Sequence, residues 1–467
     1  MNPAVDGRLG PRPQLGLLDI TCLIVGIIVG TGIYQVAPDV ARGAGGPLAL
    51  LGLWGLGGML SLCGALGYAE LASAYPQEGG DYVYLTRAYG PWAGFLFGWL
   101  QLVAVRPGDI AIMAFAFATY ARAIWDPWGG SAPSTPSKVY ALAAVSVLTA
   151  IHMAGVRASR WTQNLLTGVK VLGLLGIAFA ACAKGSGLLP AGDPGRLPFS
   201  VALILVLFTF GGWNEMAYVA AEVRNPGKNI IRAMVLGTGT VTLLYLAVNL
   251  AFLRVLGFHG LSASRAVAAV ALGRVFPALA GKALSAVICI SALGALGGIV
   301  FTGARISYAV GRDHHIFHPL ASWNAKGGTP RRALLLQGLL AACLIVLLGS
   351  FVDTLIYTAA AVYLFYFATS LAVIILRRRE PEVPRPYRVT AYPLPTLLFC
   401  AACLFLIHGA VLYKPRIAAV SFGLMLLGVP IHALEGSRRA KGRLQSGGRS
   451  FRPDRDTSRV RAGCPPQ

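Results

Sequence analysis

The sequence predicts an all-α polytopic membrane protein of 12 transmembrane helices, the first ten arranged as a 5+5 inverted repeat. Three observations predict it. The chain has 467 residues, of which 56% are hydrophobic and 12% charged, with mean hydropathy +0.65. Soluble domains carry about 25% charged residues. Between Pro11 and Glu435 the chain divides into apolar runs of roughly 20 residues or more, the length that crosses a hydrocarbon core of about 30 Å. Two of these runs are interrupted by glycine at corresponding places, as "GTG" at Gly30 to Gly32 and "FTFGGWNE" at Phe208 to Glu215. Each break falls in the first span of a set of five. An odd number of spans turns the second set upside down relative to the first.

Residues 1–14 are polar and broken by proline, and no small-residue cleavage site follows, so they read as a cytoplasmic tail. The expected spans are 15–38, 47–75, 92–121, 138–155, 163–183, 199–221, 233–256, 281–310, 333–350, 353–376, 389–411 and 413–434. Repeat 1 covers about 15–183, repeat 2 about 199–376, and two additional helices about 389–434, all in one transmembrane domain over 15–434. Residues 435–467 are basic and expected to be a disordered cytoplasmic tail.

The formal net charge is +22. With both termini inside, Arg87, Arg157, Arg160, Arg224, Arg331 and Arg377 fall in inside segments, and the outside loops hold fewer cations. This positive-inside bias explains the charge without a nucleic-acid partner and places the chain in the cell membrane, with the lipid bilayer as its surroundings. Cys400 and Cys403 form a CxxC inside an apolar run, where cysteine behaves as a small hydrophobe. No metal, redox site or cofactor is expected. No nucleophile, base or paired-carboxylate constellation converges, which argues against an enzyme and leaves no catalytic residues to name.

The stretch "IVGIIVGTGIY" gives up about 1 kcal/mol of helix propensity at each of Gly26, Gly30 and Gly32. Unpaired backbone deep in a bilayer is tolerated only where it lines a cavity or is buried in protein. Freed N–H groups attract an anion and freed C=O groups a cation. A zwitterion suits such a site.

Five motifs in order then resemble the amino acid–polyamine–organocation transporter superfamily, most closely its L-type amino acid transporter branch of heteromeric light chains. They are "VGTGIY", "GALGYAELASAYPQEGGDYVYLTRAYG", "VRPGDIA", "FGGWNEMAYVAAEVRNPGKNIIRA" and "PRPYRVTAYPLP". The resemblance implies alternating access, with broken helices 1 and 6 and an amino acid substrate. It implies a carboxylate site at Gly30, Thr31 and Gly32, and ammonium contacts at the carbonyls of Ile28, Phe208 and Thr209. Phe208 would close over the substrate, Gly211 would leave room for its side chain, and Asn214 would lie toward the lower side of the pocket. Lys170 matches a span-5 lysine whose ammonium replaces a coupling sodium ion, which implies sodium-independent transport. Exchange of neutral L-amino acids is the expectation; the alternatives are proton symport, cationic amino acids or polyamines, and a sensor that does not translocate.

Coupling or gating roles are expected for Lys170, Glu215, Arg106 and Asp109. Arg106 and Asp109, three apart on one helix face, either pair with each other or place Arg106 near the pocket. Glu215 either selects a cationic side chain, carries a proton or pairs with a neighbour. Glu222 reads as an inside-gate or helix-end contact. His314 and His318 stand four apart but match a family loop without metal. The loop "RAIWDPWGGSAPSTPSK" lacks the cysteine by which animal light chains join a heavy chain, so no disulfide-linked heavy chain is expected and the chain reads as a prokaryotic-type member.

Overall fold

Backbone buried in lipid must satisfy its own polar groups, so the long apolar runs become helices. The computed structural model describes residues 10–128, 134–183, 195–264, 267–268, 270–271, 280–348, 359–413 and 415–435. The expected disordered tail beyond 435 and the start of the tenth expected span lie outside these residues.

The helices are α1 (Leu17–Ile28), α2 (Gly32–Gln35), α3 (Ala37–Ala44), α4 (Pro47–Ala74), α5 (Asp81–Tyr89), α6 (Pro91–Leu100), α7 (Arg106–Ile124), α8 (Ser134–Ala154) and α9 (Val156–Ala183). They continue as α10 (Phe199–Thr209), α11 (Pro226–Ala263), α12 (Ala280–Asp313), α13 (Arg331–Leu348), α14 (Ala359–Arg379), α15 (Leu394–Tyr413) and α16 (Pro415–Leu426). Proline opens α4, α6, α11 and α16, where its fixed φ suits the first turn and its missing N–H is not needed. Among the described residues, ten helices are long and apolar enough to cross a membrane. The chain is an integral membrane protein.

The structure corrects three boundaries. The first span does not end at 38: after its break it runs through α2 and α3 to Ala44, where Gly45 takes φ 75° and stops it. The third span is not one regular helix, because residues Gln101–Val105 form a π-helical turn between α6 and α7. Such wide turns often sit at functional sites. The sixth span is α-helical only to Thr209, and its second half is two 3-10 turns, Glu215–Tyr218 and Ala220–Glu222.

That last difference has a cause in backbone bonding. Gln14 and Leu15 donate to the Glu222 carbonyl at 2.7 and 2.8 Å, and Arg224 donates to Leu15 at 2.9 Å. Gly79 donates to the Tyr218 carbonyl at 3.2 Å. The segment thus keeps only tight i→i+3 bonds of its own, such as Ala217 to Asn214 at 2.9 Å, and is strapped to its neighbours as well. We call this end of the bundle, with Leu15, Glu222 and α5, the lower end.

Candidate functional site

The two interruptions meet at one cavity of about 170 Å³. Residues 29–31 separate α1 from α2, and residues 210–214 follow α10. Both turns line the cavity, with α7, α12 and α14 closing its sides.

The glycines of the first turn do different work. A Cβ on Gly26 would stand 2.3 Å from the side chains of Gln163 and Thr167, so this glycine lets α1 lie against α9. Gly30 would meet nothing closer than 3.7 Å; its missing side chain leaves cavity space. Among the described residues, the amides of Thr31, Gly32 and Ile33 have no hydrogen-bond acceptor. Gly30 itself donates to Ile28 at 2.7 Å. Gly212 takes φ 112°, a conformation that favours glycine, and turns the second interruption.

Ile28, Gly30, Thr31, Gly32, Phe208, Thr209 and Gly211 all lie on the cavity wall. The carbonyls expected to face an ammonium are already engaged, that of Ile28 twice, by the Gly30 amide at 2.7 Å and by Tyr245. Phe208 accepts from the Gly211 amide at 2.9 Å. Ile28 and Thr209 both accept from the Tyr245 hydroxyl, at 2.9 and 3.2 Å. A carbonyl has two lone pairs, so Thr209 still accommodates a second donor, whereas at Ile28 an ammonium must displace one of the two donors present. Asn214 is off the wall. It is fully buried, donates to the Tyr218 hydroxyl at 3.0 Å and accepts from Tyr366 at 3.4 Å.

Lys170 is 0% exposed and lies behind the first turn. Its ammonium donates to the carbonyls of Gly26, Val29 and Ser291 at 2.7, 3.0 and 3.0 Å. All three of its N–H groups are satisfied by neutral dipoles. Ser291 Oγ sits 2.9 Å from both the Val29 and Gly30 carbonyls and closes the same cluster. A Cβ on Gly294 would stand 2.5 Å from Lys170 Nζ, so α12 leaves the lysine its room.

Arg106 does not pair with Asp109. Its Nη1 donates to Glu215 Oε2 at 2.9 Å and its Nε to Gln101 Oε1 at 3.0 Å. Thr302 donates to the same Glu215 oxygen. Glu215 is thus paired with a neighbour across the cavity floor. Asp109, half-buried on the wall, is left as the carboxylate facing the cavity without an ion-pair partner of its own among the described residues.

Below this layer, Asp81 accepts from Tyr68, from Tyr218 at 2.7 Å and from Thr369 at 2.6 Å. Glu222 is fully buried against Arg305 at 2.7 and 3.3 Å. His314 does not pair with His318; its Nδ1 meets Glu435 at 2.7 Å.

Tyr245, Ser291, Thr302 and Arg305 were not singled out from sequence. Each is a polar side chain within an apolar run, and that was the available signal.

A family model for amino acid permeases matches residues 15–432. The mouse b(0,+)-type amino acid transporter 1 is 30% identical over 414 residues, covering 86% of this chain and 84% of its own length. The mouse large neutral amino acids transporter small subunit 2 is 31% identical over 443 residues, covering 92% and 82%. The human Asc-type amino acid transporter 1 is 30% identical over 445 residues, covering 92% and 84%.

Proposed function

Because the chain belongs to the amino acid permease family, whose members here are transporters and not enzymes, we propose that it carries out sodium-independent exchange of neutral L-amino acids by alternating access. The observation that carries this reading is Lys170. A fixed ammonium bound to three carbonyls around the first turn occupies a place suited to a small cation. A protein that supplies its own cation there needs no sodium to organise the turn.

The free amides at Thr31, Gly32 and Ile33 suit the substrate carboxylate. The carbonyl of Thr209 suits its ammonium, and that of Ile28 does so where the Tyr245 hydroxyl gives way. The wall also includes Ile112, Met113, Val362 and Leu406, which favour an apolar side chain. The self-neutralised Arg106–Glu215 pair supports a neutral substrate as well.

The proposal includes a 5+5 inverted repeat, both termini in the cytoplasm, residence in the cell membrane, and action without a disulfide-linked heavy chain. Arg305 and Glu222, strapped beside Leu15, would then form the inside gate.

A second reading rests on Asp109. A carboxylate on the cavity wall without its own counterion suits a cationic side chain. Competition separates the two: if lysine or arginine displaces labelled leucine poorly, and Asp109→Asn leaves that ranking unchanged, the neutral reading stands.

The main test is uptake into proteoliposomes with choline in place of sodium. Uptake that requires unlabelled amino acid inside supports exchange. Uptake into empty vesicles driven by an inward proton gradient indicates symport. A strict sodium requirement overturns the role given to Lys170.

A further inference from the structure

The last helical span, Ala418–Glu435, continues past α16 and ends with "IHALE", residues 431–435. His432 and Glu435 are three apart in a helix and share a face. Their counterpart is His314, which follows the last residue of α12 in extended conformation, φ −117° and ψ 125°. One ligand atom from each of the three lies within 4.8 Å of the others.

We propose that His314, His432 and Glu435 bind a divalent transition-metal ion, zinc before others, and so fasten the end of the last helix to the end of α12. Two imidazoles and one carboxylate suit zinc, which takes nitrogen and oxygen ligands in tetrahedral geometry and leaves a fourth position for water. Magnesium and calcium prefer all-oxygen sites.

The surroundings are those of a built site. The side chains of His314 and Glu435 are each 4% exposed. The Phe95 ring lies 4.8 Å from the His314 ring and 4.9 Å from that of His432, an apolar wall against both. The His315 amide donates to Glu435 Oε1 at 2.8 Å and orients the carboxylate from behind. Such outer contacts hold ligands in place for a metal.

The His314 Nδ1 to Glu435 Oε2 distance of 2.7 Å is that of a hydrogen bond. Two ligands of one tetrahedral zinc stand about 3.3 Å apart, from bond lengths near 2.0–2.1 Å. Zinc therefore takes the place of that hydrogen bond and spreads the pair by roughly half an ångström. The sequence reading, which considered His314 with His318, expected no metal; the partners come instead from 121 residues further along, at Glu435, and from His432 on the same helix face.

The test uses the full chain, purified without a polyhistidine tag and stripped with a chelator. Zinc binding is followed by competition with a coloured chelator, in excess magnesium. The expected result is one saturable zinc per chain, with affinity reduced at least about tenfold in His432→Ala. X-ray absorption of the zinc-loaded wild-type protein is expected to show imidazole nitrogen and oxygen ligands. Because that measurement uses no variant, it stands even if His432→Ala fails to fold. No saturable zinc, equal affinity in His432→Ala, or sulfur in the coordination shell would each overturn the proposal.

Discussion

Lys170 and Arg305 are both cations with 0% exposure, and they are held in opposite ways. Lys170, behind the first interrupted turn, meets only backbone carbonyls. Arg305, at the lower end, meets the Glu222 carboxylate through two nitrogens and its own helix through the Phe301 carbonyl at 2.8 Å. A charge held by dipoles leaves its partners neutral when it is removed. A charge held by a buried carboxylate leaves behind an equal and opposite charge. The surroundings of Lys170 thus stay neutral without it, while the Arg305–Glu222 pair locks the lower end.

Arg305→Met sharpens this contrast most. It strands Glu222 in the interior and is expected to cost about 3–5 kcal/mol of stability. The drop should appear in thermal unfolding followed by size-exclusion chromatography. Adding Glu222→Gln should restore most of it. A single Arg305→Met variant as stable as the wild type would break the comparison.

Lys170→Met comes next. It leaves the Gly26 and Val29 carbonyls short of a donor, a loss of about 1–3 kcal/mol. Transport should suffer more than folding, with uptake reduced at least about tenfold, equal to about 1.4 kcal/mol of barrier. A large loss of stability with uptake per folded molecule unchanged would reverse the assignment of the two cations.

Tyr245→Phe removes one hydroxyl and keeps the ring packed against Trp54 and Phe210. The expected effect on stability is about 0.5–1.5 kcal/mol. Its signature should be a rise in KM for uptake, with protein yield unchanged. An unchanged KM would show that the link between the two turns carries no load during binding.

Much of this layout was legible in the chain. The breaks at Gly30 and Gly211 were visible because glycine in an apolar run is a local departure from helix propensity. Lys170 was visible because a cation in such a run is costly. Partners were less legible. Arg106 meets Glu215, 109 positions away, and not Asp109 on the next turn, because the second interruption brings Glu215 to the cavity floor. The 3-10 form after Thr209 was hidden for a similar reason. Its Tyr218 and Glu222 carbonyls accept from Gly79, Gln14 and Leu15, and no periodicity within residues 210–222 encodes those distant partners. The π turn at Gln101–Val105 carries no glycine or proline to mark it. Ser291 and Thr302 looked like isolated small polar residues of a span until the neighbouring carbonyl and carboxylate were in place.

Tyr245 has one phenolic proton and two acceptors, at 2.9 Å in one interrupted turn and 3.2 Å in the other. It can satisfy only one of them fully at any moment. In the proposed binding mode, an ammonium that takes the Ile28 carbonyl from the hydroxyl leaves its proton to Thr209. The hydroxyl is then a changeover contact, one proton shared between the two interrupted turns.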